Sequence, residues 1–205
     1  MIPMLLDASV VRGIAVLGLV DPLADALDGS LHVAHGVLGA DPDEPCELRG
    51  IRDALQRAVN TSRPGSGRYS RALAAVHSID SLLRLGAPMI TLLFPNADEM
   101  RITARLTSRA ADQREWRRGL GLRARWLGTG EAVSIAIAQA RGLDFASDDQ
   151  QALVAYTTLT GRSQVRTRDV IRLLVNKGLI EETEGRSGYC HLREDDLHRL
   201  GGPDW

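Results

Sequence analysis

The 205-residue chain has few cysteines, a single lysine and no long apolar run. Its two cysteines, Cys46 and Cys190, are too few for a disulfide scaffold or a cysteine-built zinc site, which favours a reducing compartment. No stretch approaches the ~18 uninterrupted apolar residues that a spanning helix needs. The amino-terminal segment has no basic region, and Asp7 and Arg12 interrupt its apolar runs, which argues against a signal peptide. We therefore expect a cytoplasmic protein with no membrane contact.

The composition is that of an ordinary globular chain, but the charges are unevenly placed. Hydrophobic residues make up 44% and charged residues 25%, and the formal net charge is −1. Residues 1–53 hold nine acids and three arginines, whereas residues 101–126 hold eight arginines and two acids. Such segregation suits a protein that holds a cation in one place and a polyanion in another. Two solvated surfaces of opposite sign would give the same counts.

The hydrophobic pattern predicts strands that alternate with helices. Short apolar runs predict strands at residues 1–6, 31–38, 89–94 and 143–147. Helical spacing predicts a helix over residues 9–27 that Pro22 breaks, a basic amphipathic helix over 100–116 and a helix over 130–141 capped by Thr129 and Gly142. This order indicates an α/β fold with a parallel sheet. His32 and His35 fall in one predicted strand and should face opposite sides, which disfavours a zinc site.

Four acids are predicted to meet at one edge of this sheet. Asp7 ends the first strand, Asp148 and Asp149 end the strand at 143–147, and Glu131 lies in the first turn of the helix before it. Ligands of open α/β sheets bind outside the carboxyl ends of the strands. Crowded carboxylates repel one another, and a hard dication such as Mg²⁺ or Mn²⁺ relieves that repulsion. Each acid taken alone could equally be a helix cap or a complement to a helix dipole.

A divalent ion at such a site suits phosphodiester hydrolysis. The ion lowers the pKa of a bound water and stabilises charge on the phosphoryl oxygens, so that no serine or histidine nucleophile is needed. The segment LGTGEA has two glycines and no lysine, and a nucleotide-binding loop is therefore not indicated.

Three segments resemble the PIN domain family. The opening, LLDASVVRGIAVLGLVDPLADALDGSLHVAHGVLG, is similar to the family's first strand, Asp, helix and second strand. The segment LGTGEAVSIAIAQARGLDFASDDQQALVAY is similar to its Gly-Glu-Ala helix, apolar strand and Asp-Asp pair. The segment SQVRTRDVIRLLVNKGLI resembles the ending of many bacterial members. Together the three segments cover roughly half of the chain and occur in the family's order.

The resemblance implies an α/β/α sandwich with a mostly parallel sheet and a metal-dependent endonuclease that acts on single-stranded RNA. It further implies Mg²⁺ or Mn²⁺ as cofactor, a homodimer, and a toxin of a type II toxin–antitoxin pair that a small antitoxin neutralises. Carried over, Asp7, Glu131 and Asp149 match the catalytic metal acids, and Asp148 is a possible substitute for Asp149.

The chain departs from the family pattern at two places. The family's second acid follows the second strand, where this chain has Ala40, so that Asp41, Asp43 or Glu44 would have to serve after a shift of register. If none of them serves, activity would be weak or absent. We expect a single domain over residues 1–205, with residues 45–120 as an enlarged helical insert and 178–205 as a carboxyl-terminal extension.

Arginines are candidates for RNA contacts. Guidance of the RNA backbone by phosphate contacts is one role for the basic region, beside packing against an acidic partner or forming a solvated face. The residues considered for RNA binding are Arg12, Arg117, Arg118, Arg123 and Arg125.

Two further functions stay open at this stage. The segment TRDVIRLLVNKGLIEETEGRSGYCHLR resembles a winged helix, with a two-stranded wing that turns near residues 184–188, as in DNA-binding regulators. The other possibility is a catalytically inactive PIN-like module that only binds.

Overall fold

The computed structural model describes residues 3–39, 46–84, 89–122 and 127–194. Four strands form one sheet in the order β3-β2-β1-β4, and every neighbouring pair is parallel. Leu6 on the central strand β1 is in register with Val33 on β2 and with Ala146 on β4. The strands are β1 (Met4–Leu6), β2 (Leu31–Ala34), β3 (Ile90–Leu93) and β4 (Asp144–Ala146).

Helices make up most of the remaining described chain. They are α1 (Ala8–Val16), α2 (Val20–Ala26), α3 (His35–Leu38), α4 (Glu47–Thr61), α5 (Gly67–Leu82), α6 (Ala97–Thr107), α7 (Gln113–Gly119), α8 (Thr129–Arg141), α9 (Gln150–Thr160), α10 (Thr167–Asn176) and α11 (Glu182–Glu194). The prediction of a mixed α/β fold with a parallel sheet is confirmed, and the arrangement is compatible with an α/β/α sandwich. Within the described ranges, none of the helices combines the length and the apolar character that a membrane span needs.

The central strands are short and buried on both sides, as expected for a parallel sheet covered by helices. The side chains of Leu5 and Leu6 are fully buried, and so is Phe145 on β4. Strand β3 comes from the region predicted to be a helical insert. Residues 45–120 therefore supply an edge strand of the sheet in addition to helices α4–α7.

The first helical segment is broken, but not by Pro22. Helix α1 ends at Val16, and Gly18 adopts a positive φ of 69° that carries the chain into α2. Pro22 lies in the first turn of α2, where the missing amide proton removes no helical hydrogen bond. The sequence predicted the break correctly and assigned it to the wrong residue.

Two predicted elements differ from the structure in length. The strand expected over residues 31–38 ends at Ala34, and His35 begins the short helix α3, so that His32 and His35 do not share a strand. The single basic helix expected over residues 100–116 is two helices, α6 and α7, separated by residues 108–112.

The carboxyl-terminal region is helical where a wing was predicted. Helix α11 spans Glu182–Glu194, so the described part of the chain contains no two-stranded wing. Gly188 faces Leu17, and a Cβ at this glycine would lie 3.2 Å from a methyl carbon of that leucine. Nearby, the ammonium group of Lys177 donates a 2.6 Å hydrogen bond to the carbonyl oxygen of Ala26 at the end of α2.

A buried ion pair ties helix α6 to helix α8. The Glu99 carboxylate is fully buried and accepts hydrogen bonds from Arg141 Nε at 2.8 Å and Nη2 at 2.9 Å. It also accepts one from the Asn96 amide at 2.7 Å, which completes a capping box. These donors, the Arg141 guanidinium first, lower the pKa of Glu99.

Replacement of Arg141 by leucine should destabilise the fold by about 2 kcal/mol, because it leaves a buried carboxylate without its countercharge. Arg101→Leu is the matched control, since the Arg101–Asp98 pair is exposed and should contribute almost nothing. Urea unfolding of both variants measures the difference. Equal stability of the two variants would show that the Glu99–Arg141 pair has no special role.

Candidate functional site

Asp7 is a buried carboxylate at the carboxyl end of the central strand. Its amide donates a 2.9 Å hydrogen bond to Ala146 O, which carries the β1–β4 pairing one residue past the strand. Its Oδ2 accepts hydrogen bonds from Ser9 Oγ and Ser147 Oγ, both at 2.8 Å. Oδ1 is buried and has no hydrogen-bond partner among the residues that the structure describes. Burial raises the pKa of Asp7 above its ordinary value, although both serine hydroxyls oppose the shift.

Glu131 lies where the sequence placed it, in the first turn of α8. Its carboxylate accepts a 2.8 Å hydrogen bond from the amide of Gly128, the residue before the helix. Burial, together with the charges of Asp149 and Asp7, raises its pKa to about 7. The predicted acids Asp7 and Asp149 therefore both act electrostatically on Glu131.

A fourth carboxylate, Glu47, joins this group. Glu47 is the first residue of α4, and a Cβ placed on Gly130 would lie 2.6 Å from its carboxyl carbon. A side chain at position 130 would therefore displace the Glu47 carboxylate from its present place. Burial raises the pKa of Glu47 to about 7, and the charges of Asp7 and Glu131 add to the shift.

The adjacent residues Asp148 and Asp149 accept hydrogen bonds from different helices. Asp148 Oδ1 and Oδ2 accept hydrogen bonds from the Thr167 amide at 3.1 Å and from its hydroxyl at 2.6 Å, which holds Asp148 to the start of α10. Asp149 caps α9, because its Oδ1 accepts from the amides of Gln151 and Ala152. Only Asp149 of this pair raises the pKa of Glu131.

Ser147 connects the two sides of the site. Its hydroxyl donates to Asp7 Oδ2 and accepts a 3.1 Å hydrogen bond from the amide of Asp149. Ser9 makes the equivalent link, since its hydroxyl donates to Asp7 and accepts from the amide of Asp148 at 3.0 Å. The serines fix Asp7 in one orientation and leave its Oδ1 unpaired.

The donor set suits a hard divalent cation. Four carboxylates contribute to one charged region, two of them have pKa values raised to about 7, and one buried oxygen of Asp7 lacks a partner. Mg²⁺ and Mn²⁺ prefer oxygen ligands of this kind. Across the described ranges, however, no three His, Cys, Asp or Glu side chains stand close enough together to form a metal-binding group. The carboxylates share a charged region without converging to ligand distance.

Several other predicted residues lie elsewhere. Asp41, Asp43 and Glu44 fall outside the described residues, as do Arg123 and Arg125. Arg118 is exposed on α7, and Arg12 is half-buried on α1. Arg117 is buried and donates a 3.0 Å hydrogen bond to Ser108 O, and burial lowers its pKa. Arg117 therefore packs within the α6–α7 region and does not share a surface with Arg118.

No protein-family model matches the chain, and no curated protein or solved structure matches it either. Any function of this site must therefore be argued from the residues of this chain.

Sequence reasoning missed Glu47 and both serines. The family pattern places the second acid directly after the second strand, which limited the predicted candidates to Asp41, Asp43 and Glu44. A usable signal was present, since Glu47 lies in the first turn of an amphipathic helix, as Glu131 does in α8. The serines carried no such signal, because hydroxyls close to an aspartate in sequence are common in turns.

Proposed function

We propose that the protein is a metal-dependent ribonuclease of the PIN type that cleaves single-stranded RNA with Mg²⁺ or Mn²⁺. The observation that carries the proposal is the unpaired, buried Oδ1 of Asp7 within a group of carboxylates whose charges raise the pKa values of Glu47 and Glu131 to about 7. Perturbed carboxylates in one region are typical of functional sites.

The residues have separate roles in this proposal. Asp7, Glu47, Glu131 and Asp149 would hold the ion, and Asp148 serves the fold instead. When bound, a divalent ion supplies an activated water and stabilises charge on the phosphoryl oxygens. Ser9 and Ser147 orient the Asp7 carboxylate, and the Gly128 amide orients that of Glu131. Gly130 leaves the space that brings Glu47 against the start of α8.

The biological setting is part of the proposal. Because the three segments resemble bacterial PIN-domain toxins, we propose a cytoplasmic homodimeric toxin that a small antitoxin neutralises. The exposed arginines of α6 and α7, such as Arg105 and Arg118, would attract the RNA backbone.

The adjacent aspartates provide a matched test of the site. Asp149→Asn keeps a good helix cap but loses the charge, so we expect near-wild-type stability and a loss of cleavage of about a hundredfold or more. Asp148→Asn loses charge on the Thr167 contact, so we expect lower stability and retained cleavage by the folded protein. Cleavage of a labelled single-stranded RNA is measured with Mg²⁺, with Mn²⁺ and with EDTA.

The controls decide between the candidate functions. If wild type and Asp149→Asn cleave equally with either ion, the nuclease proposal fails. If wild type binds the RNA but neither ion supports cleavage, the inactive binding module becomes the better description. If Asp148→Asn alone loses cleavage while folded, the two aspartates have been assigned the wrong roles.

A further inference from the structure

Phe94 is an exposed aromatic residue in a chain that has only two phenylalanines. The other, Phe145, is fully buried in the sheet, whereas Phe94 is 53% exposed immediately after β3. Exposure of a lone large apolar side chain is ordinary in globular proteins. The position of Phe94 in the sheet and its contact with a second ring indicate a binding role for the exposed side chain.

Phe94 forms a pair with a second ring. The rings of Phe94 and His35 have centroids 4.8 Å apart and planes inclined by 32°, which is a tilted pair in contact distance. His35 directly follows β2, as Phe94 directly follows β3. The pair therefore lies across the carboxyl ends of two neighbouring parallel strands.

This aromatic pair lies at the same edge of the sheet as the acids. Strand β2 pairs with β1, and Asp7 directly follows β1. Phe94 therefore follows a strand that lies two positions, or about 10 Å, from β1. The helix that His35 begins also packs on the acid region. A Cβ on Gly36 would lie 3.7 Å from Gly130 Cα, and Gly130 borders Glu47.

The backbone under the exposed ring is held in place. Phe94 O accepts a 2.6 Å hydrogen bond from Arg141 Nη2, and that guanidinium is fixed by the buried Glu99 carboxylate. An exposed ring on a fixed backbone loses little freedom when a second flat group stacks on it, which favours binding.

The charges on the other side of Phe94 favour a nucleic acid over an apolar protein surface. Helix α6 begins three residues after Phe94 and carries the exposed Arg101, which pairs with Asp98, and the exposed Arg105. The Arg105 guanidinium lies 4.2 Å from the ring centroid of Trp116 on α7. These arginines place positive charge on the helix that follows Phe94, which suits the backbone of a polyanion.

We propose that Phe94 and His35 form a stacking platform for a base of single-stranded RNA, next to the nucleotide whose phosphate meets the acids. This proposal rests on the proposed ribonuclease function for its substrate. Stacking of bases on aromatic rings is tolerant of sequence, and the platform therefore adds affinity without base specificity.

The test is a binding measurement that needs no cleavage. A labelled single-stranded oligoadenylate, and an oligomer of equal length whose sugars carry no bases, are titrated in EDTA with wild type, Phe94→Ala, Phe94→Tyr and Leu179→Ala. Leu179 is the matched control, since it is 39% exposed and lies between α10 and α11. Thermal unfolding confirms that each variant is folded.

We expect Phe94→Ala to weaken oligoadenylate binding about five- to tenfold, and Phe94→Tyr and Leu179→Ala to leave it unchanged. The baseless oligomer should bind wild type more weakly by a similar factor and should not distinguish wild type from Phe94→Ala. In cleavage assays, KM should rise by the same factor while kcat stays constant.

The possible failures are distinguishable. If wild type cleaves RNA but Phe94→Ala binds both oligomers as wild type does, the platform is overturned and the nuclease function stands. If wild type does not cleave but the base-dependent loss occurs, the platform stands and the nuclease function fails. If Phe94→Ala changes only the sedimentation of the protein, the ring is a contact between copies of the chain and the platform is overturned.

Discussion

Replacing Asp7 with asparagine should abolish RNA cleavage and also make the ion-free protein more stable. Cleavage should fall about a thousandfold, because Asp7 is the central member of the acid group and its Oδ1 has no other described partner. Stability should rise by about 1 kcal/mol, because asparagine keeps an acceptor for Ser9 and Ser147 without placing a charge in a buried position. A residue that is retained for its chemistry commonly shows this opposition of stability and activity.

Asp144→Asn is the matched control for Asp7→Asn. Asp144 begins β4 and pairs with Arg162 on the partly exposed surface, at the end of the strand away from the acids. Its replacement should leave cleavage unchanged and alter stability only slightly. Urea unfolding in EDTA and cleavage in Mn²⁺ are measured on the same preparations. An Asp7→Asn protein that is both active and less stable would show that this carboxylate only supports the fold.

The ion-free protein should lose stability as the pH rises from about 4.5 to 7. Glu47 and Glu131 have pKa values raised from 4.5 to about 7, so that the native state binds protons that the unfolded state has released. The stabilising protonated form is fully present below the unfolded value and is lost as the pH passes the folded value. With allowance for solvent screening, each group should account for roughly 1–2 kcal/mol.

Glu47→Gln and added metal ions test this dependence separately. Glu47→Gln should remove about half of the loss of unfolding free energy between pH 4.5 and 7, since Glu131 still titrates. Mg²⁺ or Mn²⁺ should reverse the slope, because the ion binds the deprotonated carboxylates, and saturation at a hundred times Kd adds about 2.7 kcal/mol. Denaturant unfolding at a series of pH values, with EDTA and with each ion, gives the comparison. A stability that is flat with pH and indifferent to both ions would mean that these glutamates do not form a cation site.

Much of the sheet was predictable because its strands are local apolar runs. A few adjacent residues specify each of strands β1 and β4 and helix α8. The positions of Asp7, Glu131 and Asp149 at the ends of these elements could therefore be predicted as well. The end of β2 was not predictable in this way. His35 leaves the strand because α3 packs at Gly36 against Gly130, a contact between positions far apart in the chain.

The wing predicted near residues 184–188 and the single helix predicted over residues 100–116 were wrong for the same reason, because each prediction used local sequence alone. Gly185 and Gly188 suggest a turn locally, but α11 buries Tyr189 and Leu192, and Gly188 permits close approach to Leu17. Tertiary packing therefore outweighed the local turn preference. In the basic region the apolar spacing continues past the point where α6 ends, and periodicity alone does not reveal a break at residues 108–112.

The single lysine has a practical consequence. Lys177 supplies the only side-chain amine in the chain, and that amine is engaged at the end of α2 by its bond to Ala26 O. An amine-selective dye therefore has one internal attachment point, on an exposed residue whose amine must give up its hydrogen bond to Ala26 O before it reacts. A dye coupled there marks the junction of α2 and α10, with no engineered cysteine or tag.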